Sequence, residues 1–193
     1  MSGINYNQRA VALAKELIGK VIVYKDKRYM ISVTEAYPFD EEKDKNGEEI
    51  SYVNRSHTGK GYAFLTGKDK IGTCFIYAGM LHIACAGGNS KRWEDEYSCD
   101  NILIRGAIRV TGEDVFDADK QMGFNEGQPY KLCHDKLGIP SDHAPFALKT
   151  EESALKIVAF RDFKMKDHFD QGKRKNVKSE NPYRFYLKKE AIE

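Results

Sequence analysis

Glu35 and Tyr37 stand two residues apart at the end of the apolar run Tyr29-Met30-Ile31-Ser32-Val33-Thr34. In an extended chain residues i and i+2 share a side, so the acid and the phenol continue the face begun by Tyr29, Ile31 and Val33. A carboxylate at the rim of an apolar face can take a proton from water, and a ring beside it can stack a planar substrate. The spacing fits equally well a solvated acid after a buried strand.

Three further residues could do chemistry. Arg105 lies inside the apolar stretch 101–108. A guanidinium there needs a carboxylate or a phosphate, so it either pairs structurally or orders a site. Lys131 ends Gly127-Gln128-Pro129-Tyr130-Lys131, a loop that opens a short helix stopped by Gly138. Free N–H groups beside one cation suit a phosphate, though an ordinary turn has the same composition. His57 sits in the polar segment 38–61, a long loop of the kind that carries function more often than it idles; a lone loop histidine is nonetheless commonly just exposed.

The elements that must position these residues follow from periodicity. Ala10, Leu13, Ala14, Leu17 and Ile18 repeat at helical spacing, with Asn7 as the expected N-cap and Gly19 as the stop. Val21-Ile22-Val23-Tyr24, the turn Lys25-Asp26-Lys27 and 28–35 read as a β-hairpin that delivers Glu35 to an edge of the domain. Pro38 ends the second strand after Tyr37. Two apolar strands, 73–78 and 81–86, meet near Ala78-Gly79 and place Phe75 or Tyr77 near a tight turn. A polar loop holding Gly87-Gly88 and Trp93 follows, then the strand 101–108, a strand over 154–160, and a closing strand, Tyr183-Arg184-Phe185-Tyr186-Leu187.

Composition narrows the class. With 193 residues, 41% hydrophobic and 31% charged, the chain is long enough for one globular domain with its own core, and a disordered or collagen-like chain is excluded. No apolar run approaches membrane-spanning length and no leader pattern opens the chain, so the expected address is the cytoplasm with no membrane partner. Cys74, Cys85, Cys99 and Cys133 lack metal-ligand spacing and read as reduced core thiols; the dispersed histidines announce no metal site. The net charge of +2 says little, but Lys164, Lys166, Lys173-Arg174-Lys175 and Lys178 cluster beside Phe163, Phe169 and Tyr183. That cluster is either a phosphate-facing surface or a solvated loop.

Several stretches, in order and across nearly the whole chain, resemble one family. They are 13–23, Thr34-Glu35-Ala36-Tyr37, Gly72-Thr73, Gly79-Met80, Ile104-Arg105, 127–132, Leu137-Gly138-Ile139 and Arg184-Phe185-Tyr186. Together they are similar to the methylpurine (3-methyladenine) DNA glycosylases of the alkyladenine type. The resemblance implies a single mixed α/β (α+β) domain over 1–193, a curved antiparallel sheet with a protruding β-hairpin and flanking helices. It implies a monomeric enzyme that binds double-stranded DNA, flips a damaged purine and hydrolyses its N-glycosidic bond with no metal, cofactor or obligate protein partner. Glu35 matches the general base, Arg105 the residue that positions the water, and Tyr37 a ring that stacks on the base.

The hairpin departs from the family pattern. Ala78 precedes Gly79 where the family has an intercalating tyrosine. If Gly72-Thr73 sets the register, Tyr77 takes that role; if Gly79-Met80 sets it, Phe75 is the second stacking ring. The resemblance also places Ala78, Gly79, Met80 and Lys131 against DNA, and puts Cys85 where the family's base-screening asparagine falls. His57, within Asn54-Arg55-Ser56-His57-Thr58, approximates the family's base-binding histidine. The alternatives are a glycosylase-like protein that binds DNA without efficient excision, and a hydrolase of N-glycosidic bonds in another nucleic acid or a nucleoside.

Overall fold

The computed structural model describes residues 3–39, 46, 62–89, 97–111, 115–116, 129, 131–140, 145–160, 169–174, 179 and 181–188. Helix α1 (Ala10–Leu17) buries Ala10, Leu13, Ala14 and Leu17, the face that the helical spacing marked. This apolar face packs on the sheet, and truncating the fully buried Leu13 to alanine costs about 2–5 kcal/mol. Gly19, at φ 79°, ends the helix as expected.

Its start differs from expectation. The N-cap is Arg9, in extended conformation and without a side-chain cap, whereas Asn7 donates its backbone N–H to Asn5 Oδ1 at 3.0 Å. The cap comes from another strand: Asp100 Oδ2 accepts from the Ala10 N–H at 2.9 Å and from Arg9 Nε at 2.7 Å. A helix whose first turn lies on a sheet can draw its acceptor from far along the chain, which local capping rules do not register.

The sheet is antiparallel and curved, and its main path runs through Phe146–Ala147 (β7), Thr73–Tyr77 (β3), Met80–Asn89 (β4), Tyr97–Thr111 (β5), Lys27–Tyr37 (β2), Val21–Tyr24 (β1) and Leu155–Val158 (β8). Strands β1 (Val21–Tyr24) and β2 (Lys27–Tyr37) form the expected hairpin, and β2 ends before Pro38. Strand β5 (Tyr97–Thr111) runs along one side of β2. The other side is shared by β1 near the start of β2 and by β10 (Arg184–Leu187) near its end. Glu35 therefore lies inside the sheet and fully buried, not at an edge, because a strand from the far end of the chain closes over it.

Strands β3 (Thr73–Tyr77) and β4 (Met80–Asn89) meet at Ala78-Gly79, whose φ values of 50° and 75° define a type I′ turn. Contrary to expectation, Gly87-Gly88 belongs to β4. A Cβ on Gly87 would lie 1.9 Å from the Ser98 carbonyl oxygen, so glycine here permits close pairing rather than a loop. Short strands complete the set: β6 (Val115–Phe116) on β5, β7 (Phe146–Ala147) on β3, β8 (Leu155–Val158) on β1 and β9 (Phe169–Gly172) on β10. A wide helical turn, Leu132–Leu137, stops at Gly138 in left-handed conformation, as its sequence indicated.

The main core lies between the sheet and α1; a smaller one, around Phe39, Leu65, Phe75, Ala84 and Cys99, lies beside the Glu35 face. All four cysteines are buried free thiols. No helix among the described residues is long and apolar enough to cross a membrane.

Candidate active site

Strand alternation decides which residues meet. Thr34 turns toward the helix, where its Oγ1 donates to the Ala14 carbonyl at 2.9 Å, so Glu35 turns to the opposite face. Register then draws one row straight across five paired strands: Phe75 faces His82, His82 faces Leu103, Leu103 faces Glu35, and Glu35 faces Arg184. In the neighbouring row Tyr37 faces Asn101. Register shifts on either side of Val33 disturb the β2–β5 ladder and leave Arg105 outside its paired positions. Gly106 allows this approach, since a Cβ there would lie 2.7 Å from Val33 Cγ2.

The result is a carboxylate held from three sides. Glu35 Oε2 accepts from the Tyr37 hydroxyl at 2.8 Å and from Arg105 Nη1 at 3.1 Å, while Arg184 Nε stands 4.0 Å from Oε1. Arg105 has thus found the carboxylate that its apolar strand required. Burial, followed by the charge and hydrogen bond of Glu35, raises the Tyr37 pKa, so the phenol keeps its proton and remains a donor. Burial also holds the Arg184 guanidinium below its ordinary value; Glu35 opposes this and the Arg105 charge adds to it.

Arg174 was expected in a surface cluster and is instead buried. Its guanidinium carbon lies 4.7 Å from the centre of the Tyr37 ring and 5.5 Å from that of Tyr183, and Nη1 donates to the Ala36 carbonyl at 2.8 Å. The aromatic and carbonyl partners satisfy a cation that a reading of charge clusters assigned to solvent.

Of the residues singled out in the sequence, Glu35, Tyr37 and Arg105 come together. Phe75 is buried, stacked between Phe64 at 4.8 Å and His82 at 5.4 Å. Tyr77 is 37% exposed and, with Met80, closes the hairpin whose tip is Ala78-Gly79. Cys85 does not join the group. It pairs with Asp100 in register, on the face whose carboxylate caps α1, and lies in the core. Lys131 immediately precedes the helical turn that packs on β4. His57 lies outside the described residues.

Sequence reasoning missed Arg184, Arg174, His82 and Asn101. Arg184 offered the same signal as Arg105, an arginine in a short apolar strand. His82, between Leu81 and Ile83, offered only alternation. Among the described residues no cluster of three or more His, Cys, Asp or Glu side chains could hold a metal ion.

The arrangement is a buried carboxylate gripped by a phenol and flanked by arginines, on a sheet face lined with rings. The methylpurine-DNA glycosylase model matches residues 4–191, and the chain belongs to that family. It is accordingly a DNA glycosylase of base-excision repair, with DNA as its substrate. No curated protein matches the chain.

Proposed function

We propose that the protein excises alkylated or deaminated purines, of the 3-methyladenine, 7-methylguanine or hypoxanthine type, from double-stranded DNA. It acts as a monofunctional, monomeric enzyme in which Glu35 activates the attacking water. The observation that carries this reading is the fully buried Glu35 carboxylate, with Tyr37 and Arg105 both donating to Oε2.

In the proposed step a Glu35 oxygen accepts a proton as the water oxygen bonds to the sugar C1′. The C1′–N bond breaks and its electron pair leaves with the base. An alkylated purine that is already cationic departs neutral, so the site needs little acid catalysis for it. Tyr37 and Arg105 fix the carboxylate, and the Arg174 guanidinium lies by the Tyr37 ring, which stacks on the extruded base.

The rings of the hairpin divide the remaining work. Both faces of Phe75 are occupied, by Phe64 and His82, so Phe75 supports the floor and Tyr77, exposed beside the tip, serves as the wedge. Lys131 contacts a phosphate.

The test is incubation with duplexes carrying 3-methyladenine, 7-methylguanine or hypoxanthine, followed by a count of abasic sites. Excision of at least one lesion is expected. Duplex binding without excision would make the protein a binding module, and cleavage of free nucleosides alone would move the substrate out of DNA.

A further inference from the structure

Arg184 has no step of its own in the chemistry described above, yet its placement differs from that of Arg105. Arg105 donates from Nη1 to Glu35 Oε2 at 3.1 Å, a directly hydrogen-bonded pair. Arg184 Nε stands 4.0 Å from Oε1, close enough for an ion pair but beyond the reach of a direct hydrogen bond. Glu35 and Arg184 are register partners on β2 and β10, so both side chains rise from the sheet face that also carries Tyr37.

Among the described residues two guanidiniums approach the Glu35 carboxylate, and one would balance it. The second carries a cost. Burial holds the Arg184 guanidinium below its ordinary value; Glu35 opposes this and repulsion from Arg105 adds to it. A second cation also works against proton transfer to the carboxylate, since a protonated Glu35 would leave two positive charges around one neutral acid. As a permanent partner Arg184 hinders the step assigned to Glu35. As a loosely held partner that a substrate draws away, it fits that step.

The substrate supplies an anion in the right place. With the sugar C1′ at the water that Glu35 activates, the phosphates flanking that nucleotide lie one furanose ring away, and Arg184 springs from a backbone position one strand spacing, roughly 5 Å, from Glu35. The Arg184 side chain is 14% exposed where that of Glu35 is 0%, so it is the more open member of the pair. Its planar fork suits a phosphodiester, which accepts two parallel N–H bonds. Resting on the function proposed above, we propose that Arg184 is a substrate-binding residue that grips a phosphate flanking the extruded nucleotide and thereby withdraws its charge from Glu35. In the free protein Arg184 stays beside the carboxylate. On the lesion duplex the phosphate takes over the guanidinium, and Glu35, still held by Tyr37 and Arg105, accepts its proton with one cation fewer beside it. Docking of the DNA backbone and activation of the water are then one event.

The experiment is a cycle between protein and substrate. Hypoxanthine and 3-methyladenine duplexes, with an ordinary phosphodiester or with an uncharged methylphosphonate immediately 5′ or 3′ of the lesion, are titrated with the wild type, Arg184→Gln and Arg184→Lys and followed through one turnover. At one of the two positions the methylphosphonate is expected to weaken wild-type binding roughly tenfold, Arg184→Gln to weaken binding of the ordinary duplex by a similar factor, and the two together to cost little more than either. Arg184→Lys, which keeps the charge but not the fork, should recover part of the affinity. At saturating enzyme the same methylphosphonate should slow wild-type excision about tenfold, because Arg184 then stays beside Glu35, and slow Arg184→Gln much less. Losses that multiply at both positions would overturn the assignment, as would a methylphosphonate that weakens binding without slowing wild-type excision; either result leaves the glycosylase reading intact. A wild type that binds the duplexes but excises neither lesion would overturn that reading, and with it the withdrawal from Glu35, whatever the binding cycle gives. Should Arg184→Gln fail to fold, Arg184→Lys decides through the same cycle, its smaller loss likewise vanishing on the methylphosphonate duplex.

Discussion

Two carboxylates, Glu35 and Asp100, are both fully buried on adjacent strands of one sheet, and they do different things. Asp100 faces α1 and accepts from Arg9 Nε at 2.7 Å, Phe39 N at 2.8 Å, Ala10 N at 2.9 Å and Arg9 Nη2 at 3.3 Å. Two of its partners are backbone N–H groups, so its job is to pin the start of the helix and the end of the β2 segment to β5. Glu35 faces the other way and is held by side chains, with Arg184 at 4.0 Å and the buried Arg105 Nε lacking a hydrogen-bond partner among the described residues. A carboxylate bonded to backbone is architecture. One gripped by guanidinium and phenol groups is held by side chains, the arrangement that the proposed general base requires.

The largest expected effect breaks this comparison on the catalytic side. Glu35→Gln should lower excision by roughly a hundred- to ten-thousandfold, the usual worth of a general base, with duplex affinity nearly unchanged. Equal loss of binding and excision, measured by titration and single-turnover kinetics, would remove the general-base role. On the structural side, Asp100→Ala orphans two buried N–H groups and should cost about 3 kcal/mol in denaturant unfolding. Excision per folded molecule should hold, and a selective loss of excision would erase the distinction between the two acids.

Smaller effects sharpen the picture. Tyr77→Ala, at an exposed position, should reduce excision about tenfold with little change in melting temperature, as expected of a stacking wedge. A fall in melting temperature that accounts for the loss would return Tyr77 to a structural role. His82 supplies a pH test. Its folded pKa of about 4 lies below the ordinary 6.5, so its stabilisation is complete above pH 6.5 and is lost as pH falls through 4, by roughly 3 kcal/mol in all. Unfolding curves of His82→Phe should lose that acid-side slope; an identical slope would place its origin elsewhere. The mildest expectation is Lys131→Ala, which should weaken duplex binding and lower the salt dependence by about one phosphate contact without altering base preference.

Much of this was legible in the chain, because it depends on local rules. Helical spacing marked the buried face of α1, Gly19 and Gly138 marked helix ends, Pro38 marked the end of β2, and Ala78-Gly79 marked a hairpin tip. The i, i+2 spacing put Glu35 and Tyr37 on one face, and an arginine in an apolar strand announced a need for a counter-charge. Local rules failed where the partner comes from elsewhere in the chain. Asn7 gave way to Asp100 as the cap, and Gly87-Gly88 was a place of close strand approach rather than a loop. Arg174 was one cation in a charged run until its aromatic partners were known.

Sequence alone thus determined the chemistry available here: a carboxylate and a phenol on one strand face and an arginine that had to pair. Tertiary structure decided what that carboxylate is. Strand β10 covers Glu35 and brings Arg184 opposite it, register aligns His82 with it and Asn101 with Tyr37, and Cys85 is turned to the far face. Alternation along one strand is a property of the backbone and can be read locally. Which strands lie side by side, and in what register, is settled by burying the whole sheet at once, and that choice turned a possible surface acid into the centre of a site.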